Sequence, residues 1–362
     1  MQSTTHNLTT TPPNLNENGM CGRYLRMPDC QARVAEGGLR MNGKYKSSTL
    51  SQPLVTVITV VLNREQTIRQ CLTSVLGQSY GNIEYIVIDG ASTDKTLDII
   101  SEYAEAIDYY VSEPDTGIYN AMNKGIALSS GNYILLLNSD DWYHIDAVKS
   151  LVNAARSSNA DVTHADAIVV NHAGSKQYDL KGWLNDGIYT RGAPLRHETM
   201  LVKRELYDQI GYYDESYPII ADYVFMLAIY HAGASFFHLK QSLLYFRSTG
   251  ISNTAHGKRS EERMRIFKEY FPFLDNDDLN HFKVNGRIPV DTRLELIEKH
   301  KGKSELFVRS MAFNIATQAI FETKAHLNAN AADTTRNERL RQANNATLRK
   351  ALLRVVKRLI RV

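Results

Sequence analysis

Cysteine is nearly absent from this 362-residue chain: there are three, Cys21, Cys30 and Cys71, with no C-x-x-C spacing. Such a set builds neither a disulfide scaffold nor a zinc ribbon, and it fits a reducing compartment. Excess charge of one sign is also lacking. Lys plus Arg number 42 against 39 Asp plus Glu, a formal net charge of +3. A dedicated nucleic-acid binder is usually strongly basic, so no nucleic-acid partner is expected. The longest apolar run, around Val55 to Leu62, falls far short of the roughly 18 residues of a membrane-spanning helix. The N-terminus is polar and lacks the hydrophobic region of a secretory signal. Neither G-x-G-x-x-G nor G-x-x-x-x-G-K-[ST] occurs, which weighs against a dinucleotide fold and a P-loop. What is present, 43% hydrophobic and 22% charged residues, suits a soluble globular protein with one large or two modest domains.

Residues 1–50 are rich in Thr, Asn, Gly and Arg, include Pro12-Pro13 and show no periodicity. They are expected to be a flexible leader. The pattern changes at Pro53. Leu54 to Leu62 (LVTVITVVL), Ile83 to Ile88 (IEYIVI), Tyr109 to Ser112 and Tyr133 to Leu137 (YILLL) read as strands. Helical spacing separates them at Thr67 to Leu76, Lys95 to Tyr103 and Ile118 to Ser129. Continuous apolar strands alternating with helices predict an α/β fold with a mainly parallel sheet covered on both faces. Ligands of such sheets bind at the carboxyl ends of the strands. Beyond these, Val162 to Val170 and Ser235 to Phe246 read as strands, Asp222 to His231 as an apolar helix, and the chain from Lys258 as mainly helical.

Three loops at predicted strand ends could carry chemistry. Asn138-Ser139-Asp140-Asp141 follows YILLL. Adjacent carboxylates repel, and a divalent cation relieves the repulsion while gaining hard oxygen ligands. An Asp there can equally cap a following helix. Asp89-Gly90-Ala91-Ser92-Thr93-Asp94 follows the second strand, either as an ordinary loop or as a pocket whose Asp89 accepts hydrogen bonds from a base or ribose. Ser112-Glu113-Pro114-Asp115-Thr116-Gly117 feeds a helix carrying Asn120, Asn123 and Lys124. Lys124 either faces phosphates or lies on a solvated helix face.

Together, TVITVVLN, Ser74 to Gln78, EYIVIDGASTD and SEPDTGIYNAMNKGIALSSGNYILLLNSDD make Val55 to about Leu151 resemble the nucleotide-binding half of family 2 glycosyltransferases, which have the GT-A fold. The SEPD-GIY-AMNKG segment looks like a branch that builds bacterial surface polysaccharides, of exopolysaccharide, O-antigen or colanic-acid type. Resemblance continues more weakly through Arg196-His197-Glu198-Thr199 and Gly211 to Glu215 to Ala221-Asp222-Tyr223. It implies a GT-A domain over 53–255; beyond the resemblance, the residues themselves read as a helical extension over 256–340 and a basic amphipathic tail helix over 341–362.

The resemblance also implies roles. Asp89 matches the aspartate that contacts the nucleotide base. Asn63, Glu65, Asp115, Asn123, Lys124 and Asp140 fall among the donor-binding positions. Asp140 and Asp141 lie in the metal-binding region, for Mg²⁺ or Mn²⁺. Asp222 matches the general base of inverting members. His197 and Glu198 are implied in acceptor or phosphate contact, although a satisfied core histidine remains an alternative for His197. Three positions depart from the pattern: Asn138 stands where many members have the first aspartate, Glu198 follows the histidine where Gln is common, and Ala221 precedes Asp222 where many relatives have Glu. The implied reaction moves a sugar from a nucleotide sugar, a UDP-sugar foremost, to a hydroxyl of a lipid-linked or oligosaccharide acceptor at the inner face of the plasma membrane. The alternatives are a non-catalytic assembly protein of this fold and a sugar-phosphate nucleotidyltransferase. VLNREQT lacks the Gly-rich signature of the latter.

Leu348 to Val362 (LRKALLRVVKRLIRV) has six basic residues and no acid. At helical spacing Leu348, Leu352, Val355, Leu359 and Val362 share one face, with Lys350, Arg354, Lys357, Arg358 and Arg361 clustered opposite. This pattern is expected of a helix lying in an anionic membrane interface, where each nearby basic residue contributes about 1 kcal/mol. The alternative is a helix packed on its own domain. The chain should therefore sediment with anionic liposomes, less so as salt rises, and deletion of residues 348–362 should release it. Equal liposome binding by the truncated chain would contradict the tail's role.

Overall fold

The structure is a computed structural model and describes residues 8–16, 19–171, 173–182, 184–248, 256–283, 288–300 and 302–315. The tail helix expected over 341–362 lies outside the described residues. The chain divides into two compact units, one of residues 1–183 and 195–256, the other of residues 184–194 and 257–362.

The first unit is built on a ten-stranded sheet. Two short strands, β1 (Leu8–Thr9) and β3 (Tyr45–Lys46), pair apart from it, and β2 (Ala35–Gly37) lies at its edge. The alternating core follows: β4 (Val55–Val61), α1 (Ile68–Leu76), β5 (Ile83–Asp89), α2 (Thr96–Ser101), β6 (Tyr109–Ser112), α3 (Ile118–Leu128) and β7 (Tyr133–Asn138). Then come β8 (Trp142–Tyr143), α4 (Ala147–Ser158), β9 (Val162–Val170), β10 (Lys176–Leu180), β11 (Leu201–Lys203), α6 (Arg204–Ile210), α7 (Ala221–His231) and β12 (Phe236–Arg247); α5 (Ile188–Arg191) belongs to the second unit.

Strand order is β2-β6-β5-β4-β7-β11-β9-β12-β8, with β10 on β9. β4 runs parallel to β5 and β7, and β5 to β6. β11 is antiparallel to both β7 and β9, β8 to β12, β10 to β9 and β2 to β6, while β12 is parallel to β9. The sheet is thus mixed, which corrects the mainly parallel expectation. The first half obeys it because α1, α2 and α3 provide the crossovers parallel strands need. The second half pairs the long strands β9 and β12 with the short β8, β10 and β11, whose antiparallel pairing sequence periodicity does not distinguish.

All seven residues of β4 are buried. Val55, Val57 and Val61 pack with Ile68, Leu72 and Val75 of α1 and with Val148, Leu151 and Val152 of α4. Ile58 points to the other face, against α3. There Gly125 lets helix and strand touch: a Cβ at 125 would lie 2.3 Å from Ile58 Cγ2.

Residues 19–50, expected to be a leader without fixed structure, are instead packed on this sheet. Beyond the β2–β6 pairing, their cations Arg33, Arg40 and Lys46 reach buried carboxylates. Arg40 donates to Glu84 Oε1 at 2.6 Å and to the Leu128 carbonyl at 3.0 Å. Lys46 donates to Asp108 Oδ2 at 2.8 Å and to the Ile83 carbonyl at 2.5 Å. Glu84 also accepts from Thr56, from the Ser130 amide and from the Ser130 hydroxyl. Burial raises the Glu84 carboxyl, but the Arg40 charge and these donors outweigh it and hold it below the usual range. Composition hid this role, because the apolar content that marks a packed segment is low when its anchors are cations.

The second unit is helical where described. It contains α5, α8 (His256–Tyr270), α9 (Asn276–Lys283) and α10 (Val290–His300), and residues 305–315 are also helical. Its core is aromatic: Phe267, Phe271, Phe282 and Phe307 are fully buried, with edge-to-face contacts between Phe267 and Phe282 and between Phe271 and Phe307.

Arg40→Ala removes the only full charge paired with Glu84 among the described residues, and Glu84 is 2% exposed. Breaking a buried pair costs about 3–5 kcal/mol because the remaining charge is uncompensated. Urea unfolding should show that loss. Arg69→Ala, which breaks the half-exposed Arg69–Glu102 pair, should move the midpoint far less. Equal shifts would contradict the anchoring role.

Candidate active site

The carboxyl ends of β4, β5, β6 and β7 carry the loops singled out in the sequence. After β4, Asn63 adopts a left-handed conformation (φ 51°). Its side-chain oxygen accepts from the Thr93 amide at 2.8 Å, and Glu65 Oε2 accepts from the Lys95 amide at 3.0 Å. These two residues are exposed and tie the first loop to the second. Asp89 ends β5 and is 1% exposed. Its carboxylate accepts from the Ser92 amide and hydroxyl, and from the Ser112 hydroxyl at 2.6 Å. Asp115 is half-buried, and burial raises its carboxyl above the usual range. Gly90 faces it closely: a Cβ at 90 would lie 2.5 Å from Asp115 Oδ2.

Asn123 and Lys124 are engaged within the protein. Asn123 donates to the Tyr213 carbonyl (3.0 Å) and to Glu215 Oε1 (3.0 Å), and accepts from the Tyr213 amide (2.9 Å). Lys124 pairs with Glu113 Oε1 at 2.9 Å and donates to the Pro114 carbonyl at 3.0 Å. Arg33, from the N-terminal segment, holds the other oxygen of Glu113 at 3.0 Å. The loop that carries Asp115 is therefore braced from both sides.

The end of β7 holds the densest charge. Asp141 is 1% exposed. It does not cap a helix, because β8 follows it; its Oδ1 accepts the Arg247 amide at 2.7 Å. The Arg247 guanidinium donates to the Asp140 carbonyl (2.5 Å) and to Gln70 (2.8 Å), and lies 4.5 Å from the centre of the Trp142 ring. Burial, then the charges of Glu198 and Asp140, push the Asp141 carboxyl well above the usual range. Burial also raises Asp140, which is half-buried, while Arg64 and Arg247 pull it back. Asn138 donates to Glu198 Oε1 at 2.8 Å across 60 residues of sequence.

Glu198 leads to the remaining candidates. His197 Nδ1 lies 3.3 Å from Asp222 Oδ2. The Tyr119 hydroxyl lies 2.9 Å from Asp222 Oδ1 and 3.0 Å from the Ile219 carbonyl. Burial opposes charge on both His197 and Asp222. Glu198 and Asp222 outweigh it at His197, holding the imidazole above its ordinary range. The His197 hydrogen bond outweighs it at Asp222, holding that carboxyl below its range. The Asp222 carboxylate accepts from Tyr119 and the Tyr223 amide and faces His197, and this set of partners favours its charged form.

Four buried polar atoms here make no hydrogen bond: Asn138 Oδ1, Asp141 Oδ2, Glu198 Oε2 and His197 Nε2. Three are acceptor oxygens with no donor, a setting that fits a cation. Among the described residues, no three His, Cys, Asp or Glu side chains are gathered to hold a metal by themselves. That is compatible with Mg²⁺, which is commonly held by one or two carboxylates together with substrate phosphates. Sequence reasoning missed Arg64, Tyr119 and Arg247. Tyr119 lies inside a segment already singled out and Arg64 between two candidates, whereas nothing local to Arg247 marks it.

Asn123→Asp places an acceptor where two hydrogen-bond donations are needed, against Glu215 and the Tyr213 carbonyl. An unsatisfied buried polar group costs about 1–3 kcal/mol, and thermal unfolding at neutral pH should show it. The introduced carboxyl holds its proton to higher pH in the folded than in the unfolded chain. The loss should therefore shrink as pH falls toward about 4. A loss independent of pH would contradict this clasp.

A profile of the family described as "Glycosyl transferase family 2" matches residues 56–227. The chain is 28% identical over 225 residues to a "PGL/p-HBAD biosynthesis glycosyltransferase" of Mycobacterium bovis, covering 59% of this chain and 85% of that protein. It is 31% identical over 191 residues to an uncharacterized glycosyltransferase of Rickettsia typhi, covering 49% and 58%. Among solved structures, a mannosyltransferase from Pyrobaculum calidifontis in complex with GDP-Man and Mn²⁺ aligns at 18% identity with a TM-score of 0.49, covering 85% and 84%. No helix among the described residues is long and apolar enough to cross a membrane. The strand-end loops and the acidic cluster fall in the stretch that the profile matches, so over residues 56–227 the chain is similar to glycosyl transferase family 2, and it is a glycosyltransferase.

Proposed function

We propose that the chain is an inverting enzyme that transfers a sugar from a nucleotide sugar to a hydroxyl of a lipid-linked glycan in bacterial surface-polysaccharide synthesis. The observation that carries this reading is the continuous series Asp140, Asp141, Glu198, His197, Asp222. It links a cation-attracting cluster at one strand end to a carboxylate whose partners favour its charged form.

Asp89, held by Ser92 and Ser112, takes the base or ribose side of the donor, and Asn63, Glu65 and Asp115 frame the same pocket. Asn123 and Lys124 act indirectly, by bracing the loop that carries Asp115. The Arg64 side chain beside Asp140 suits a phosphate oxygen. Asp140 is the more accessible carboxylate and the direct ligand for Mg²⁺ or Mn²⁺, while Asp141 supplies charge from behind. When bound, the cation neutralises charge growing on the departing nucleoside diphosphate. Asp222 accepts the proton of the attacking hydroxyl. Tyr119 and His197 fix its carboxylate in place, and the unpartnered His197 Nε2 is available to an acceptor or phosphate oxygen.

Asp222→Asn keeps the size but cannot take the proton. Its kcat should fall by roughly 10²–10⁴-fold with little change in KM for the donor. NMR of the product should show the opposite anomeric configuration from the donor. Near-normal turnover, or a retained configuration, would contradict this assignment.

A further inference from the structure

We propose that Asn138 and Glu198 form a charge-exchanged pair: the negative charge of the first position of the acidic loop is supplied from position 198, and position 138 is neutral for that reason. What the charge neutralises rests on the function proposed above; the pairing itself does not.

The two residues meet at the carboxyl end of β7. Asn138 Nδ2 donates to Glu198 Oε1 at 2.8 Å, and Glu198 is 2% exposed. The turn that carries Glu198 is held in place: the Tyr143 hydroxyl lies 2.7 Å from the Glu198 carbonyl and 2.9 Å from the Leu136 carbonyl. Neither side chain can swing to water without breaking this packing.

A bond between these positions needs one donor, and the cluster needs one charge. Four combinations of acid and amide are possible. Asp with Glu has a donor only if one of the two carboxyls binds a proton. Asn with Gln makes the bond but carries no charge. Only Asp with Gln and Asn with Glu satisfy both demands without taking up a proton. This chain has the second arrangement. Positions 138 and 198, two of the three departures that the resemblance marks, are therefore the two ends of one hydrogen bond.

The charge has a use. Asn138 Oδ1, Asp141 Oδ2 and Glu198 Oε2 are buried acceptors with no hydrogen-bond donor; the nearest cationic group to Glu198 Oε2 is His197 Nδ1, at 3.7 Å. Glu198 is also the first charge, after burial itself, to act on Asp141. It is thus an electrostatic partner of the loop that holds Asp140 and Asp141, although it comes from a segment about 60 residues away.

Four proteins test the pair: the parent, Asn138→Asp, Glu198→Gln and the double variant. Two measurements are made on each: the melting temperature without ligand, and the affinity for Mn²⁺ in the presence of UDP by calorimetry. Asn138→Asp should melt below the parent, because it buries a second carboxylate against the first. Glu198→Gln should melt at or above the parent and bind Mn²⁺–UDP roughly 10–100-fold more weakly, the range typical of losing an outer-shell partner of a metal site. The double variant should regain the parent's melting temperature and most of its affinity. A double variant that melts as low as Asn138→Asp, or a Glu198→Gln variant that binds Mn²⁺–UDP like the parent, would overturn the pairing. Failure of the parent itself to bind Mn²⁺–UDP would defeat both the functional reading and the use assigned to the charge. The melting series would then decide the hydrogen-bond pairing alone.

Discussion

Asp141 and Glu198 are buried beside each other at the end of β7, and each side chain receives one hydrogen bond, from the Arg247 amide and the Asn138 side chain respectively. Two like charges out of water are costly, so the surroundings must either supply donors or neutralise a charge. Much of the local architecture follows. The end of β12 is drawn to the acidic loop because its amide is one of the two donors. Arg247 is then fixed over Trp142, which stacks on Tyr245 with ring centres 5.0 Å apart. The turn at His197–Thr199 is fastened by Tyr143. That turn in turn sets the distance from His197 to Asp222. The crowding that shapes the protein is also what makes this strand end attractive to a cation.

A second set of buried charges lies toward the other end of the sheet. Arg40 with Glu84 and Lys46 with Asp108 tie residues 19–50 to β5 and to the chain entering β6. Buried ion pairs add little net stability relative to apolar packing, but losing one partner is severe. Their consequence is positional. β5 and β6 end in Asp89 and in the loop bearing Asp115, so the N-terminal segment fixes strands whose far ends carry the residues proposed to bind the donor. Arg33 reaches that loop directly through Glu113.

The alternating core was legible because each of its elements has one strong local signal. Tyr109–Ser112 and Val162–Val170 form strands at the residues their β-branched and aromatic content indicates, and the motif loops fall at strand ends as the parallel order requires. Strands of two or three residues, such as Trp142–Tyr143 and Ala35–Gly37, have no periodicity to read and exist only through their partners. The same reason hid Arg247, Arg40 and the link from Asn138 to Glu198: each depends on residues 44 or more positions away. Asn123 and Lys124 were legible as special but not as to how. Their hydrogen bonds to Tyr213, Glu215, Glu113 and Pro114 appear only once the chain is folded.

The central claim is that the carboxyl ends of β4 to β7 bind a nucleoside diphosphate through a cation held at Asp140. A crystal structure of the protein with UDP and Mn²⁺, with anomalous scattering recorded for manganese, tests it most directly. The account predicts a single strong anomalous peak in contact with Asp140 and the diphosphate, with the base or ribose beside Asp89. Manganese located away from Asp140, or a nucleotide bound elsewhere on the protein, would contradict it.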